Sequence, residues 1–561
     1  MNTYKHGLWA LLFLFSLTFS GAGTAGAPFR VQILSINDFH GNVQPPSGVD
    51  ARMSLTEDPQ QNELGGSEYL AATLSTLRQK AKNSITVTAG DLLGASPMLS
   101  GMFHDEPTVE SMEGMKLDVS SVGNHEFDEG FIELLRMQNG GCHPEDGCYF
   151  PEQPYDGASY PWLAANVIYS ATGKSILPKT WIKKINGVNI GFIGMTLSGT
   201  PDLVSQAGIQ GLTFEDEVKA ATSAINELHK QKTRAVVLLI HEGGAQTGNY
   251  NGCDGISGPI VALAQKLPAE IDLIVSGHTH RAYICNLPDP NGKMRHVTSA
   301  SAFGRAVTET WLTINPATRD VVRSKTTSAN VMVARTLSPD PIQTALIDKW
   351  KPLYEVRAAE NVGLITASIE ASKTRDTPSS LANLIADALL RASENAPYNA
   401  EMAFMNPGGV RASLSFKAAT GALPAGSVNY EDLYKVMPFG NTILTLTLTG
   451  DQVRQLLEEQ YDEATSKQRI LGVSNGLSFD FLTNGTSGNR IKNILFKGKP
   501  LEMTKSYQVT VPENMLEGSV LGQGLNRLGA GGDLDALKAY IKANSPVSPP
   551  PADRVNMVSA S

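Results

Sequence analysis

The stretch Arg30-Val-Gln-Ile-Leu-Ser-Ile-Asn-Asp-Phe-His-Gly-Asn42 holds, side by side, the two features from which the fold can be inferred. Its first part, Arg30–Ile36, is an apolar and β-branched run typical of a buried strand. Its second part is a polar loop in which Asp38 and His40 can each ligate a metal ion. The sequence therefore predicts a strand that carries metal ligands at its carboxyl end.

The same arrangement of an apolar run and a polar loop recurs along the chain. Further strands are predicted at Ile85–Thr88, Val119–Val122, Asn189–Ile193, Ala235–Ile240 and Ile271–Val275. Helical patterns lie between several of them, at Glu68–Lys82 and Phe214–Lys230. Strands that alternate with helices predict an α/β domain with a largely buried sheet. Because ligands bind beyond the carboxyl ends of such strands, we expect the loops to converge.

The loops after these strands contain the residues that we predict to form a metal centre. They are Asp38, His40, Asp91, Asn124, His241, His278 and His280. Carboxylate, amide and imidazole ligands together suit borderline divalent ions. These ligands are too many for one four-coordinate ion, so two ions are the economical interpretation, bridged by a carboxylate at a spacing of about 4 Å. Asp91 directly follows its strand and is our choice for the bridge.

A second domain is predicted in the later part of the chain. We assign residues 28–335 to the first domain, 336–361 to a linker helix and 362–543 to the second domain. Residues 544–561 are rich in proline at their start and are predicted to be an extended tail.

The N-terminus has the pattern of a secretory signal peptide, which we assign to residues 1–27. Lys5 and His6 precede the apolar run Leu8–Phe19, and small residues follow it. The apolar run is short for a membrane span, and no later stretch is long and apolar enough to form one. We therefore predict a secreted or periplasmic protein without a membrane span.

Composition and cysteine content narrow the class of protein. The 561 residues are 41% hydrophobic and 18% charged, as in a globular protein, and the net charge of −9 argues against binding of polymeric nucleic acid. Four cysteines allow three pairings. Pairing Cys142 with Cys148 is the local choice, and it leaves Cys253 with Cys285. An oxidising compartment favours such disulfides.

The motifs resemble those of metallophosphoesterases and, in their fuller forms, those of the 5′-nucleotidase/UDP-sugar hydrolase family. In the first domain they are Asn37-Asp-Phe-His-Gly-Asn42, Gly90-Asp91, Gly123-Asn-His-Glu-Phe-Asp128, His241 and Gly277-His-Thr-His280. In the second domain they are Asn406-Pro-Gly-Gly-Val-Arg411, Pro438-Phe-Gly-Asn441 and Gly531-Gly-Asp533. The resemblance implies an α/β protein with a four-layer metallophosphoesterase sandwich, a linker helix and a smaller α/β substrate-binding domain.

The resemblance also implies a role for each site residue. One metal ion would take Asp38, His40, Asp91 and His280, and the other would take Asp91, Asn124, His241 and His278. His125 corresponds to the catalytic histidine, with Asp128 orienting its ring. The residues that would hold the substrate are Arg375, Asn406, Gly408, Gly409, Arg411, Phe439, Asn441 and Asp533. Among these, Phe439 would stack on the base and Asp533 would face the ribose.

The implied activity is hydrolysis of nucleoside 5′-monophosphates to nucleoside and phosphate, with two divalent ions such as zinc or manganese. Nucleotide sugars and 2′,3′-cyclic nucleotides are further candidate substrates. The alternatives are another two-metal hydrolase, such as a thiosulfohydrolase or a broad phosphatase, and a catalytically dead surface-binding protein. One departure from the family stands out. Its usual second base-stacking aromatic is replaced here by Arg527.

Overall fold

The structure is a computed structural model, and it describes residues 27–48, 50–204, 208–438, 440–463, 467–516 and 519–559. All but the last residue of the predicted signal peptide lies outside these ranges. No helix within these ranges has both the length and the hydropathy that crossing a membrane requires.

Two stacked sheets form the centre of the first domain. In spatial order, the strands of one sheet are Asp320–Val321, Ala306–Asn315, Phe29–Ile36, Ser84–Ala89, Val119–Ser121 and Trp162–Leu163, and Thr327–Met332 also pairs with Ala306–Asn315. Those of the other sheet are Ala282–Pro288, Met294–Ala300, Leu273–Ser276, Ala235–His241, Val188–Thr196 and Thr180–Ile185. Apolar side chains from both sheets fill the space between them.

Helices cover the outer faces of both sheets. The helices on the first sheet are Ser67–Arg78, Met98–Gly101, Glu106–Gly114 and Phe131–Asn139, and those on the second are Glu217–Lys230 and Pro259–Lys266. The result is the predicted four-layer α/β sandwich. The helix predicted to start at Phe214 begins at Glu217 instead, because Asp216 caps it by accepting a hydrogen bond from the Lys219 amide.

The strands that precede the predicted metal ligands run parallel to one another. Ser84–Ala89 pairs in parallel with Phe29–Ile36 on one side and with Val119–Ser121 on the other. In the second sheet, Ala235–His241 pairs in parallel with Leu273–Ser276. The carboxyl ends of these strands therefore lie at one edge of the sandwich, where the loops meet.

The second domain also combines sheets with helices. Its larger sheet has the order Gly472–Val473, Met402–Met405, Ser506–Pro512, Thr442–Thr449, Leu525–Gly532, and its smaller one Lys499–Pro500, Ile491–Phe496, Leu477–Leu482, Val555–Val558. Its helices are Ser380–Ser393, Tyr430–Val436, Gly450–Glu458 and Asp533–Asn544. The predicted tail is extended but not separate, because Val555–Val558 pairs in parallel with Leu477–Leu482.

Helix Pro341–Ala358 lies within the range predicted to be a linker and packs on the first domain. Its Trp350 is fully buried and donates a hydrogen bond from Nε1 to Glu110 Oε2 at 3.0 Å. Its ring also contacts Phe103 and Phe150, with centroids 5.0 and 4.8 Å away. This helix is therefore anchored to the first domain by an aromatic cluster.

Both disulfides suggested by the sequence are present. Cys142 pairs with Cys148, and Cys253 pairs with Cys285. The first closes a short loop after helix Phe131–Asn139, and the second joins a loop to strand Ala282–Pro288.

Trp350→Ala should lower the free energy of unfolding of the first domain by about 3–5 kcal/mol, because it removes a fully buried aromatic ring and leaves a cavity. Val356→Ala is the matched control, since Val356 lies on the same helix with 78% of its surface exposed. Urea unfolding of the full chain measures both. Similar losses in the two variants would contradict the anchoring role of Trp350.

Candidate metal centre and substrate site

The predicted metal ligands converge at the carboxyl edge of the sandwich and lie on unusual backbone. Asp38, His40, Asp91, His278 and His280 all have positive φ, between 46° and 70°. Non-glycine residues seldom adopt this left-handed conformation, which costs roughly 1–3 kcal/mol each and clusters at functional sites. The surrounding sheets hold the loops in this conformation so that the side chains point at one another.

The first group of ligand atoms comes from Asp38, His40 and His280. His280 Nε2 lies 3.1 Å from His40 Nε2 and 3.3 Å from Asp38 Oδ1. The Nδ1–H of His40 donates a hydrogen bond to the Gly94 carbonyl at 2.9 Å. The lone pair of His40 Nε2 therefore remains free to face the other two ligands. Burial lowers the pKa of His40 to about 3, so its imidazole is neutral, as a metal ligand must be.

The second group comes from Asp91, His241 and His278, with Asn124 beside it. His278 Nδ1 lies 3.1 Å from Asn124 Oδ1, and burial lowers the pKa of His278 to about 4. Asp91 Oδ2 lies 2.9 Å from His241 Nε2 and 3.7 Å from His40 Nε2. Asp91 therefore stands between the two groups, as a bridging carboxylate would.

His241 provides a direct test of whether these residues fit a metal ion. Its Nδ1 donates to the Ala89 carbonyl at 2.8 Å, and its buried Nε2 has no hydrogen-bond partner although Asp91 Oδ2 is near. Burial disfavours a charged ring, but Asp91 and Asp38 outweigh this and raise the pKa of His241 to about 9. Positive charge is thus favoured at Nε2, and a divalent ion would supply it. The residues fit a metal centre.

Glycine is required where the two loops that carry Asp91 and Asn124 cross. A Cβ on Gly123 would collide with Asp91 Oδ1, and a Cβ on Gly90 would lie 2.6 Å from the Gly123 nitrogen. Gly90 also has a φ of 82°, which favours glycine. These two glycines explain why the motifs contain Gly-Asp and Gly-Asn at these points.

Glu126 is a site residue to which the sequence analysis gave no role. Its carboxylate accepts hydrogen bonds from the amides of Asp91, Leu92, Leu93 and Gly123, at distances between 2.5 and 3.3 Å. Burial and the charge of Asp91 raise the pKa of Glu126 to about 7. The glutamate in Gly-Asn-His-Glu was the available signal, but nothing in the sequence shows which amides it binds.

The predicted dyad lies beside both groups of ligands, with His125 near Asp91 and with its ring centroid 5.0 Å from that of His40. His125 donates from its backbone amide to Asp91 Oδ1 at 2.9 Å and from its Nδ1 to Asp128 Oδ2 at 2.7 Å. Burial opposes a charge on His125, but Asp128 and Asp91 outweigh it and raise the pKa to about 10. The ring is therefore oriented by Asp128 and favoured as imidazolium.

Two of the predicted substrate residues bind each other. Asn441 Nδ2 donates to Asp533 Oδ2 at 2.8 Å, and the Asp533 amide donates to the Asn441 carbonyl at 2.9 Å. Burial raises the pKa of Asp533, the first residue of helix Asp533–Asn544, to about 7. The structure thus brings together two motifs that are 92 residues apart.

The other predicted substrate residues surround the turn Pro407–Gly409. Asn406 caps this turn by accepting from the Gly409 amide at 3.2 Å. The guanidinium of Arg375 lies beside the turn, because its Nη1 is 3.9 Å from the point where a Cβ on Gly408 would be. Arg375 itself has a φ of 66°. Burial and the positive charges of Arg411 and Arg469 lower the pKa of Arg375. The three guanidinium groups together make this side of the turn cationic.

Of the two residues at the predicted base site, the structure describes Arg527 but not Phe439. Phe439 lies outside the described residues. Arg527 is exposed on strand Leu525–Gly532, where its Nη2 donates to the Gly522 carbonyl at 2.5 Å.

The second domain contacts the first beside the metal loops. Tyr434 donates from its hydroxyl to the Ser96 carbonyl at 2.5 Å, in the loop whose Gly94 carbonyl holds His40. Arg411 lies 3.9 Å from Asp50, in the loop that follows the Asp38 motif. The cationic side of the second domain therefore lies near the metal loops.

Fold and site together define the class of this protein. A four-layer sandwich with clustered Asp, Asn and His ligands at the carboxyl ends of its strands is a metallophosphoesterase domain. Agreement with known sequences is independent of this geometry. The family described as calcineurin-like phosphoesterase matches residues 31–282, and that described as 5′-nucleotidase, C-terminal domain, matches residues 357–523.

Relatives and solved structures agree with both matches. The endonuclease YhcR of Bacillus subtilis is 31% identical over 541 residues, which are 95% of this chain but 41% of that protein. The 5′-nucleotidase of Vibrio cholerae is 26% identical, with 94% of each chain covered. The crystal structure of a 5′-nucleotidase precursor from Thermus thermophilus shares the fold, with a TM-score of 0.65, 22% identity, and coverage of 95% of this chain and 100% of that one. The chain belongs to the 5′-nucleotidase family of metallophosphoesterases.

Asp91→Asn should lower the metal content of the purified protein more than His280→Ala does. The amide can still accept from the His125 backbone but removes the one negative charge that both ligand groups share. His280 belongs to one group only, and 38% of its side chain is exposed. Elemental analysis after desalting measures ions per chain. Equal losses in the two variants would contradict a bridging role for Asp91.

Proposed function

We propose that this protein is an exported hydrolase that releases phosphate from nucleoside 5′-monophosphates with two divalent metal ions. One ion is held by Asp38, His40, Asp91 and His280, and the other by Asp91, Asn124, His241 and His278. Zinc and manganese both suit this mixture of ligands. When bound, the two ions supply a nucleophilic water near neutral pH and positive charge beside the phosphoryl group.

The observation that carries the proposal is the position of His125. Its backbone is bonded to the carboxylate shared by the two ligand groups, and its Nδ1 is bonded to Asp128. Nε2 therefore remains to donate to the substrate. As an imidazolium it stabilises the charge that grows on the phosphate, or protonates the leaving oxygen of the ribose.

The second domain supplies recognition in this proposal. Arg375, Asn406 and Arg411, with the backbone of Gly408 and Gly409, hold the anionic part of the substrate. A guanidinium can bind a phosphate through two hydrogen bonds, and glycine lets the backbone approach closely. Asn441 and Asp533 form one hydrogen-bonded unit facing the base and ribose, and Phe439 stacks on the base.

Export is supported by the signal-peptide pattern and by the two disulfides, which persist in oxidising compartments. A nucleotide substrate is supported by the similarity of this chain to the 5′-nucleotidase of Vibrio cholerae. Because the chain covers less than half of the Bacillus subtilis endonuclease, that protein's activity gives little guidance here.

Release of phosphate from AMP by the metal-loaded protein tests the proposal. We expect turnover by the parent, loss of turnover on chelation, and a kcat lower by about 10²–10⁴-fold in His125→Ala with its metal content retained. Thiosulfate esters and a generic aryl phosphate are the comparison substrates. Turnover of these but not of AMP would favour the alternative hydrolases, and no turnover of any would favour a dead scaffold.

We further expect little selectivity among bases. With Arg527 in place of a second aromatic, stacking depends mainly on Phe439, and every base offers a π-face. AMP, GMP, UMP and CMP should differ in kcat/KM by less than about tenfold, or about 1.4 kcal/mol. Phe439→Ala should lower all four values together. A strong preference for one base that survives Phe439→Ala would place recognition elsewhere.

A further inference from the structure

A separate group of metal-ligating side chains lies outside the candidate metal centre. His104, Glu129, Glu133 and His143 each offer one ligand atom, and these atoms lie within 4.8 Å of one another. Glu129, Glu133 and His143 are close in sequence, before, within and after helix Phe131–Asn139, and His104 comes from an earlier segment. None of them is used by the phosphoesterase site.

Different features of the fold hold the segments that carry His104, Glu133 and His143. His104 precedes helix Glu106–Gly114 and has a φ of 50°, and Glu133 lies in helix Phe131–Asn139. His143 lies in the loop closed by the disulfide between Cys142 and Cys148. The fold therefore brings His104 to three residues that are already close in sequence.

Negative charge is in excess around this group. Glu106, Glu129, Glu133 and Asp146 are the carboxylates that contact it or its partners, whereas the nearby guanidinium groups are those of Arg136 and Arg357. His104 lies between two of these carboxylates. Its Nδ1 lies 2.6 Å from Glu129 and its Nε2 3.3 Å from Asp146, an arrangement that a neutral imidazole cannot satisfy at both nitrogens. A cation is needed at this position, either as a proton on His104 or as a metal ion.

We propose that His104, Glu129, Glu133 and His143 form a third divalent-cation site, of the zinc type, beside the catalytic dyad. Two imidazoles and two carboxylates suit zinc in number and kind. Glu133 also accepts hydrogen bonds from Arg136, but a carboxylate has about four acceptor positions and can face a cation as well.

Ion binding requires a defined rearrangement. The rings of His104 and His143 are stacked with centroids 3.6 Å apart and 13° between planes. Two lone pairs cannot point at one ion from stacked rings, so the His143 ring turns away and gives up hydrogen bonds of 3.3 and 3.1 Å from the amides of Glu145 and Asp146. The rings of His40 and His280, with centroids 5.0 Å apart and 61° between planes, are an example of a more open arrangement in this structure.

The position of the site indicates what the ion does. Glu129 follows Asp128 of the dyad, and Asp146 lies 3.6 Å from Arg357 near the end of the linker helix. Tyr149 donates to Asp146 and contacts Trp350 of the same helix. A bound ion would therefore link the dyad loop, through Glu129, to the disulfide-closed loop, through His143, and that loop carries the Asp146 that contacts Arg357.

Zinc content of the full-length protein tests this site. We expect His143→Ala and Glu129→Gln each to bind one zinc per chain fewer than the parent after equilibration with Zn²⁺ and desalting. Glu129 is largely exposed, so its variant should fold even if the loop of His143 is perturbed. His229→Ala, which removes an exposed histidine at the end of helix Glu217–Lys230, is the control and should retain the zinc content of the parent.

The same comparison in the Asp91→Asn background separates this site from the catalytic centre. There, one zinc should remain and should raise the midpoint of thermal unfolding, and His143→Ala should abolish both effects. Equal zinc content in the parent, His143→Ala and Glu129→Gln would overturn the proposal, whatever the catalytic centre binds.

Discussion

The geometry of the site depends on the hydrogen bonds that the carboxylate of Glu126 accepts. It accepts hydrogen bonds from the amides of Asp91, Leu92 and Leu93 in one loop and of Gly123 in another. The two loops follow neighbouring parallel strands, so one buried side chain sets the distance between them. Leaving a buried amide without a partner costs about 1–3 kcal/mol, and here one carboxylate serves four amides. The glutamate therefore holds the candidate bridging aspartate and the dyad loop as one unit.

Four further ligands lie on strained backbone, and one of them, Asp38, accepts a hydrogen bond from the amide of another, His278. Asp38, His40, His278 and His280 adopt left-handed backbone at the ends of strands whose interiors are fully buried. The free-energy cost of each strained residue is small compared with the free energy gained by burying apolar side chains between the two sheets. Two well-packed sheets can thus hold several strained loops, and the ligands gain directions that a regular strand or helix would not give them.

The sequence predicted six strands of the first domain and the convergence of the polar loops, because buried parallel strands appear as continuous apolar runs. It did not predict the strands Ala282–Pro288, Met294–Ala300 and Ala306–Asn315 or the order of strands within the sheets. It could not show hydrogen bonds between side chains that are distant in sequence. The hydrogen bond between Asn441 and Asp533 joins motifs that only the larger sheet of the second domain brings together. The return of Val555–Val558 to the smaller sheet was equally hidden, since the proline-rich segment before it resembles a free tail. Motifs indicate which residues meet at a site, whereas packing decides how they are held.

The division of the site between two domains has a physical consequence at their contact. Tyr434 of the second domain donates to the Ser96 carbonyl, and two residues earlier in that loop the Gly94 carbonyl accepts the Nδ1 proton of His40. The proton on Nδ1 fixes the tautomer that leaves Nε2 to ligate a metal ion. The contact made by Tyr434 therefore lies in the loop that orients a candidate metal ligand. The second domain therefore contacts the same short loop, Gly94 to Ser96, whose Gly94 carbonyl orients His40.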